Sequence, residues 1–177
     1  MFNTQEIARF KETPTPFYYY NLDLLEHTLI RVKEASAPYN YNVHYAFKAN
    51  TNNQILELIH QHGLGADCVS GNEVKKAIEC GYSSDEIVFA GVGKTDKEIN
   101  IALDHDIFCF NCESLPELEV INELAAAKGK TAQIALRINP NVAANTHAYI
   151  TTGLEENKFG INLWELEDVL VALADME

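Results

Sequence analysis

Three charged residues stand where apolar runs end, and their types set the range of chemistry open to the chain. Lys48 follows the run "VHYAF", Asp67 lies in "GADCVS", and Arg137 closes "AQIALR". A lysine at an apolar, partly dry mouth loses its proton more readily than one in water and attacks carbonyl carbon. Asp67 and Arg137 stand at comparable strand ends, where active sites of β/α barrels collect. The plain alternative for Lys48 is a solvated strand end, the common fate of lysines.

Other reactive spacings carry less. Cys109 and Cys112 form a C-x-x-C, but Cys109 sits inside the apolar run "IFCF", and no second pair follows at zinc-finger spacing. No metal site is expected, and all four cysteines, Cys68 and Cys80 included, read as buried structural thiols. His60 and His62 are two apart at the end of a helical stretch, so they do not share a helical face. "GVGKT" (91–95) has the tail of a phosphate-binding loop, but the position that needs the first glycine holds Val88.

The elements that must position these residues alternate. Candidate strands are residues 43–47, 65–70, 86–91, 107–111 and 132–138, separated by the helical patterns "NQILELIHQH", "GNEVKKAIEC", "DKEINIALDH" and "LPELEVINELAAAK". A helix precedes the first strand, and "LWELEDVLVALADM" follows the last. Thr51/Gln54, Ser70/Glu73, Thr95/Glu98 and Ser114/Glu117 each have the spacing of a capping box, in which a hydroxyl and an acid or amide satisfy first-turn donors reciprocally. They recur about once per βα unit. Strand–helix alternation predicts a parallel sheet with right-handed crossovers, and the regularity favours a barrel over a doubly wound sheet.

A complete (β/α)8 barrel needs eight units and about 250 residues. The chain has 177 and supplies about five. The expectation is a partial TIM-type barrel, truncated rather than open by design, with strands one and five unpaired at its edges. Residues 1–20 read as an N-terminal segment and 21–177 as the incomplete barrel domain.

The net charge of −13 argues against nucleic acid and against anionic membrane surfaces, since both need clustered Lys and Arg. No apolar leader opens the chain and no apolar run reaches spanning length, so a cytoplasmic protein is expected.

Five segments together resemble the diaminopimelate decarboxylase family of the alanine-racemase-like, fold type III group: "YYYNLDLLEHTL", "HYAFKANTNNQIL", "GLGADCVSGNEV", "FNCESLPELEVI" and "LRINPNVAANTHAYITTGLEENKFGI". The resemblance runs from about Thr15 to the end, and "YAFKAN" marks the wider group. It implies pyridoxal 5'-phosphate as cofactor, meso-2,6-diaminopimelate as the small-molecule substrate and L-lysine as product. It makes Lys48 the lysine that carries the cofactor, with Asp67 near that lysine and the ring. Arg137 would line the cofactor pocket with Lys158 beside it, and His147 would lie on a loop that closes over substrate. It also implies a homodimer, a late glycine-rich phosphate loop and a C-terminal β-domain. The motifs of that loop and domain do not occur in the 177 residues, so this chain alone is expected to be inactive. "NCESLPE" is similar to the family's "CES" cysteine context but falls after strand four, at a helix start. A sister decarboxylase for ornithine, arginine or carboxynorspermidine, or a partial barrel without catalysis, are the alternatives.

Overall fold

A computed structural model of the chain describes residues 2–140 and 159–176. Strand β1 (His44–Ala46) is joined in order by β2 (Gly65–Cys68), β3 (Ile87–Phe89), β4 (Cys109–Cys112) and β5 (Ile134–Leu136). All neighbouring pairs are parallel and sequential, as repeated βα units require. Helices α3 (Asn53–Gln61), α4 (Gly71–Glu79), α5 (Asp96–Asp104) and α6 (Leu115–Ala127) are the crossovers. Helix α2 (Leu22–Ser36) leads into β1. The expected α/β architecture, part of a TIM-type barrel, is what the chain adopts.

Side-chain parity along each strand divides core from mouth. Ala66 and Cys68 of β2, Ile87 and Phe89 of β3, and Phe110 and Cys112 of β4 are buried against the helices, together with Leu56, Val74, Ile99 and Ile121. The alternate residues Asp67, Val88, Asn111 and Ala135 face the other side, and there Ala135 is exposed. One glycine in this layer is dictated by close approach. A Cβ on Gly65 would stand 2.4 Å from the His44 ring and 2.6 Å from the Glu86 carbonyl oxygen.

Three capping arrangements differ in detail from the spacing-based expectation. Helix α3 is capped by Asn52, whose Oδ1 takes the Gln54 N–H, so Thr51 caps nothing. Ser70 and Ser114 do accept from Glu73 and Glu117, but those acids reach one residue further back, to the N–H of Val69 and of Glu113. Of the four expected boxes, Thr95/Glu98 alone closes reciprocally.

The fifth strand also differs. Residues 132–138 do not form one strand: β5 ends at Leu136, and β6 (Ile138–Asn139) turns away to pair, in parallel, with β7 (Ile161–Asn162), which precedes α7 (Leu166–Ala174). Arg137 is the joint. Its N–H donates to the Cys112 carbonyl and its own carbonyl accepts from Ile161, each at 2.8 Å. Helix α7 therefore has a strand of its own, a short sixth unit, while β5, like β1, pairs on one side only among the described residues, as expected.

Helix α1 (Thr4–Glu12) buries no residue in the core. Its Phe2–Phe10–Tyr19 edge-to-face rings and the Tyr19–Glu6 hydrogen bond fold the N-terminal segment on itself.

Candidate active site

The carboxyl ends of the strands surround a cleft of about 920 Å³. Lys48, Asp67 and Arg137 all line it, with Asn111, Glu113 and Phe159. That is the end of a parallel β/α sheet at which loops collect chemistry.

Lys48 does not sit on β1 itself. The strand stops at Ala46, and Phe47–Ala49 form a single 3-10 turn that buries Phe47 completely and leaves Lys48 exposed at the rim. The apolar residue anchors the turn and the amine is presented by it. The dry surroundings expected for Lys48 are not supplied by the described residues.

Asp67 is placed by strand parity: its neighbours Ala66 and Cys68 face the helices, so Asp67 faces the cleft. It lies level with Ala46 of β1 and Val88 of β3. Its Oδ1 is buried and finds no donor among the described residues.

Arg137 emerges at the bend between β5 and β6. Its guanidinium donates from Nη1 to Glu113 Oε1 at 2.9 Å and lies over the Phe159 ring, 5.7 Å from the centroid. Phe159 reaches it because the next residue is Gly160, with φ of +105°; a Cβ there would stand 2.8 Å from the Arg137 carbonyl oxygen. His147 and Lys158 lie outside the described residues.

Glu113 is the site residue that sequence reasoning missed. Sequence inspection treated "CESLPE" as a helix start, which it is: Ser114 caps α6. The signal available was an acid immediately after the apolar strand "CFNC", the same pattern that singled out Lys48. Its side chain is 4% exposed.

Lys94 of "GVGKT" is excluded from ligand chemistry by its partners. Its Nζ donates to the Gly91 and Asn111 carbonyls, both at 2.9 Å, and to Glu117 Oε1, and it is 1% exposed. All three ammonium protons are used.

The cysteines are free and buried, as expected. Burial pushes the Cys109 and Cys112 thiols upward, Cys112 to about 12, which disfavours the thiolate that exchange would need. Among the described residues no helix is long and apolar enough to cross a membrane.

The chain is similar to known proteins over nearly its whole length. It is 54% identical over 172 residues to the diaminopimelate decarboxylase of Bacteroides thetaiotaomicron, a match that spans 97% of this chain and 45% of that protein. Among solved structures, the diaminopimelate decarboxylase of Helicobacter pylori complexed with L-lysine superposes with a TM-score of 0.86 at 40% identity, over 98% of this chain and 44% of that one. The enzyme from M. jannaschii, also in complex with L-lysine, gives 0.87 at 37%, over 97% and 42%. The chain thus spans under half the length of the relatives it matches. Residues 22–177 match the model of the pyridoxal-binding domain of pyridoxal-dependent decarboxylases, and the chain belongs to that family.

Proposed function

We propose that this chain forms the cofactor-binding part of an enzyme that decarboxylates meso-2,6-diaminopimelate to L-lysine. The observation that carries the reading is the convergence of Lys48, Asp67 and Arg137 on one cleft at the strand ends. The choice of diaminopimelate rests on the similarity to decarboxylases of that name.

Pyridoxal phosphate fits the residues present. The cleft is roomy and carries an amine at its rim, a buried carboxylate oxygen on Asp67 that lacks a donor, and a guanidinium with donors to spare. When bound, the cofactor supplies an electron sink for the carbanion left as carbon dioxide departs. Lys48 would hold it covalently through Nζ. Asp67 Oδ1 would accept a hydrogen bond from a protonated group of the cofactor, and Arg137 would donate to an anionic one. Lys158 is proposed as a second cation beside Arg137, and His147 as a substrate contact. In the same reading residues 21–177 are the barrel part and 1–20 a leading segment, and the enzyme is a cytoplasmic homodimer. The 177-residue chain alone is expected to release no carbon dioxide from diaminopimelate at enzymatic rates.

Borohydride reduction of the chain incubated with pyridoxal phosphate, followed by peptide mapping, tests the assignment. The pyridoxyl group should be found on Lys48. Recovery mainly on Lys94 or Lys158 would overturn it, and Lys94 is a stringent control because its amine is buried and fully partnered.

A further inference from the structure

Glu113 is a buried carboxylate that the proposed reaction has not yet used. It follows β4 and lines the cleft with Lys48 and Asp67. One of its oxygens accepts from Arg137; the other, Oε2, is buried and finds no donor among the described residues. An ionised oxygen in that situation is costly unless something completes it.

Its surroundings hold it firmly. The Glu113 N–H is fixed at 2.8 Å by Glu117 Oε2. Glu117 is held by Lys94, which also ties down the Gly91 and Asn111 carbonyls. Arg137 is the opposite kind of residue: 49% exposed, with Glu113 as its hydrogen-bonding partner and Phe159 beneath it. A long cation so placed turns toward water when nothing anchors it. The buried member of the pair is the acid, and the exposed member is the cation.

We propose that Glu113 is a positioning residue: it fixes the Arg137 guanidinium at the cleft, and its Oε2 accepts a hydrogen bond from a donor on the bound ligand. The matching occupant carries an anionic group for Arg137 close to an N–H or O–H for Glu113. This rests on the reading of the cleft as a pyridoxal phosphate site, and its test separates the two.

The chain is compared with Glu113→Ala, Glu113→Gln and, as a control on the exposed side of α6, Glu119→Gln. Phenylglyoxal modification of Arg137 is mapped by mass spectrometry without cofactor. Borohydride trapping on Lys48 is titrated with pyridoxal phosphate, and reactivity of Cys68 and Cys112 toward a thiol reagent reports the fold. Arg137 should react about fivefold faster in Glu113→Ala. Half-saturation of Lys48 trapping should rise about tenfold in both Glu113 variants, the order expected from one hydrogen bond to a charged group. The control should match the parent, and both thiols should stay protected throughout. Unchanged Arg137 reactivity in Glu113→Ala overturns the proposal. So does a faster Arg137 accompanied by exposed Cys68 and Cys112, which would make Glu113 a support of the fold only. Absence of any Lys48 adduct in the parent overturns the cofactor reading, while the arginine map still judges the positioning of Arg137.

Discussion

At the scale of single residues, two charged side chains give sharp expectations. Lys94 compensates the Glu117 carboxylate inside the structure, so Lys94→Ala leaves that acid and two carbonyls without their donor. Removing one member of a buried pair costs roughly 3–5 kcal/mol, and urea unfolding of the variant should show a loss of that order. A loss under about 1 kcal/mol would mean that water replaces the ammonium freely. Glu98 offers a pH test. The Gly71 N–H, then Thr95, hold its carboxyl below the ordinary value of 4.5, against an opposing effect of burial. A depressed folded-state pKa gives stability that is present above 4.5 and lost as pH falls through the lower, folded value. Glu98→Gln should therefore destabilise by roughly 1 kcal/mol at neutral pH, a figure discounted for partial exposure. The gap to the parent should narrow in acid unfolding series. A gap independent of pH would assign the effect to packing. The placement of Lys48, Asp67 and Arg137 at the mouth of the sheet was legible because each stands where an apolar run ends. Glu113 was not, because one tetrapeptide both starts a helix and faces the cleft, and only the first role has a spacing rule.

Among the elements, the strands and helices of the first four units were readable from alternation alone, while the fifth strand was not. "AQIALRI" is one continuous apolar–polar pattern, and nothing within it marks the bend at Arg137. The bend is set by a partner distant in sequence, β7, whose Ile161 N–H takes the Arg137 carbonyl. Gly160 makes that approach possible. With φ of +105° and 2.8 Å of room, alanine there is strained twice over. Gly160→Ala should lower stability by roughly 1–3 kcal/mol and speed hydrogen exchange at Ile161. Gly93→Ala, where an added Cβ meets nothing within 4 Å, is the matched control and should be near neutral. Equal effects at both glycines would remove the steric argument. The capping residues show the same limit: Asn52 replaced Thr51 because either can cap α3, and local sequence does not choose between them.

For the whole molecule, the described five-stranded sheet has β1 at one side and β5 at the other, and β6 and β7 pair as a separate two-stranded sheet. Strand β3 is paired on both sides and backed by core helices, whereas β1 pairs with β2 alone. Ala135 is exposed on the face where a closed barrel would pack side chains. Leu163, Trp164, Leu170 and Val171, at and near α7, are also exposed. The 177-residue chain should accordingly self-associate, eluting from size exclusion with an apparent mass that rises with concentration. Its β1 amides should exchange well before those of β3. A concentration-independent monomer with β1 and β3 equally protected would mean that the edges are already satisfied. The fold class was legible from the repeat of strand and helix. The bend after β5 and the pairing of β6 with β7 were not, because that pairing joins segments distant in sequence.

The ties between units have a direction. Glu98 of α5 reaches back to the Gly71 N–H at the start of α4, and Glu117 of α6 reaches back to Lys94 in the loop before α5. In both cases the later helix completes the loop of the earlier unit. During synthesis from the N-terminus, these two loops therefore stay incomplete until the following unit has left the ribosome. There the mouth of the cleft matures one unit behind the growing chain.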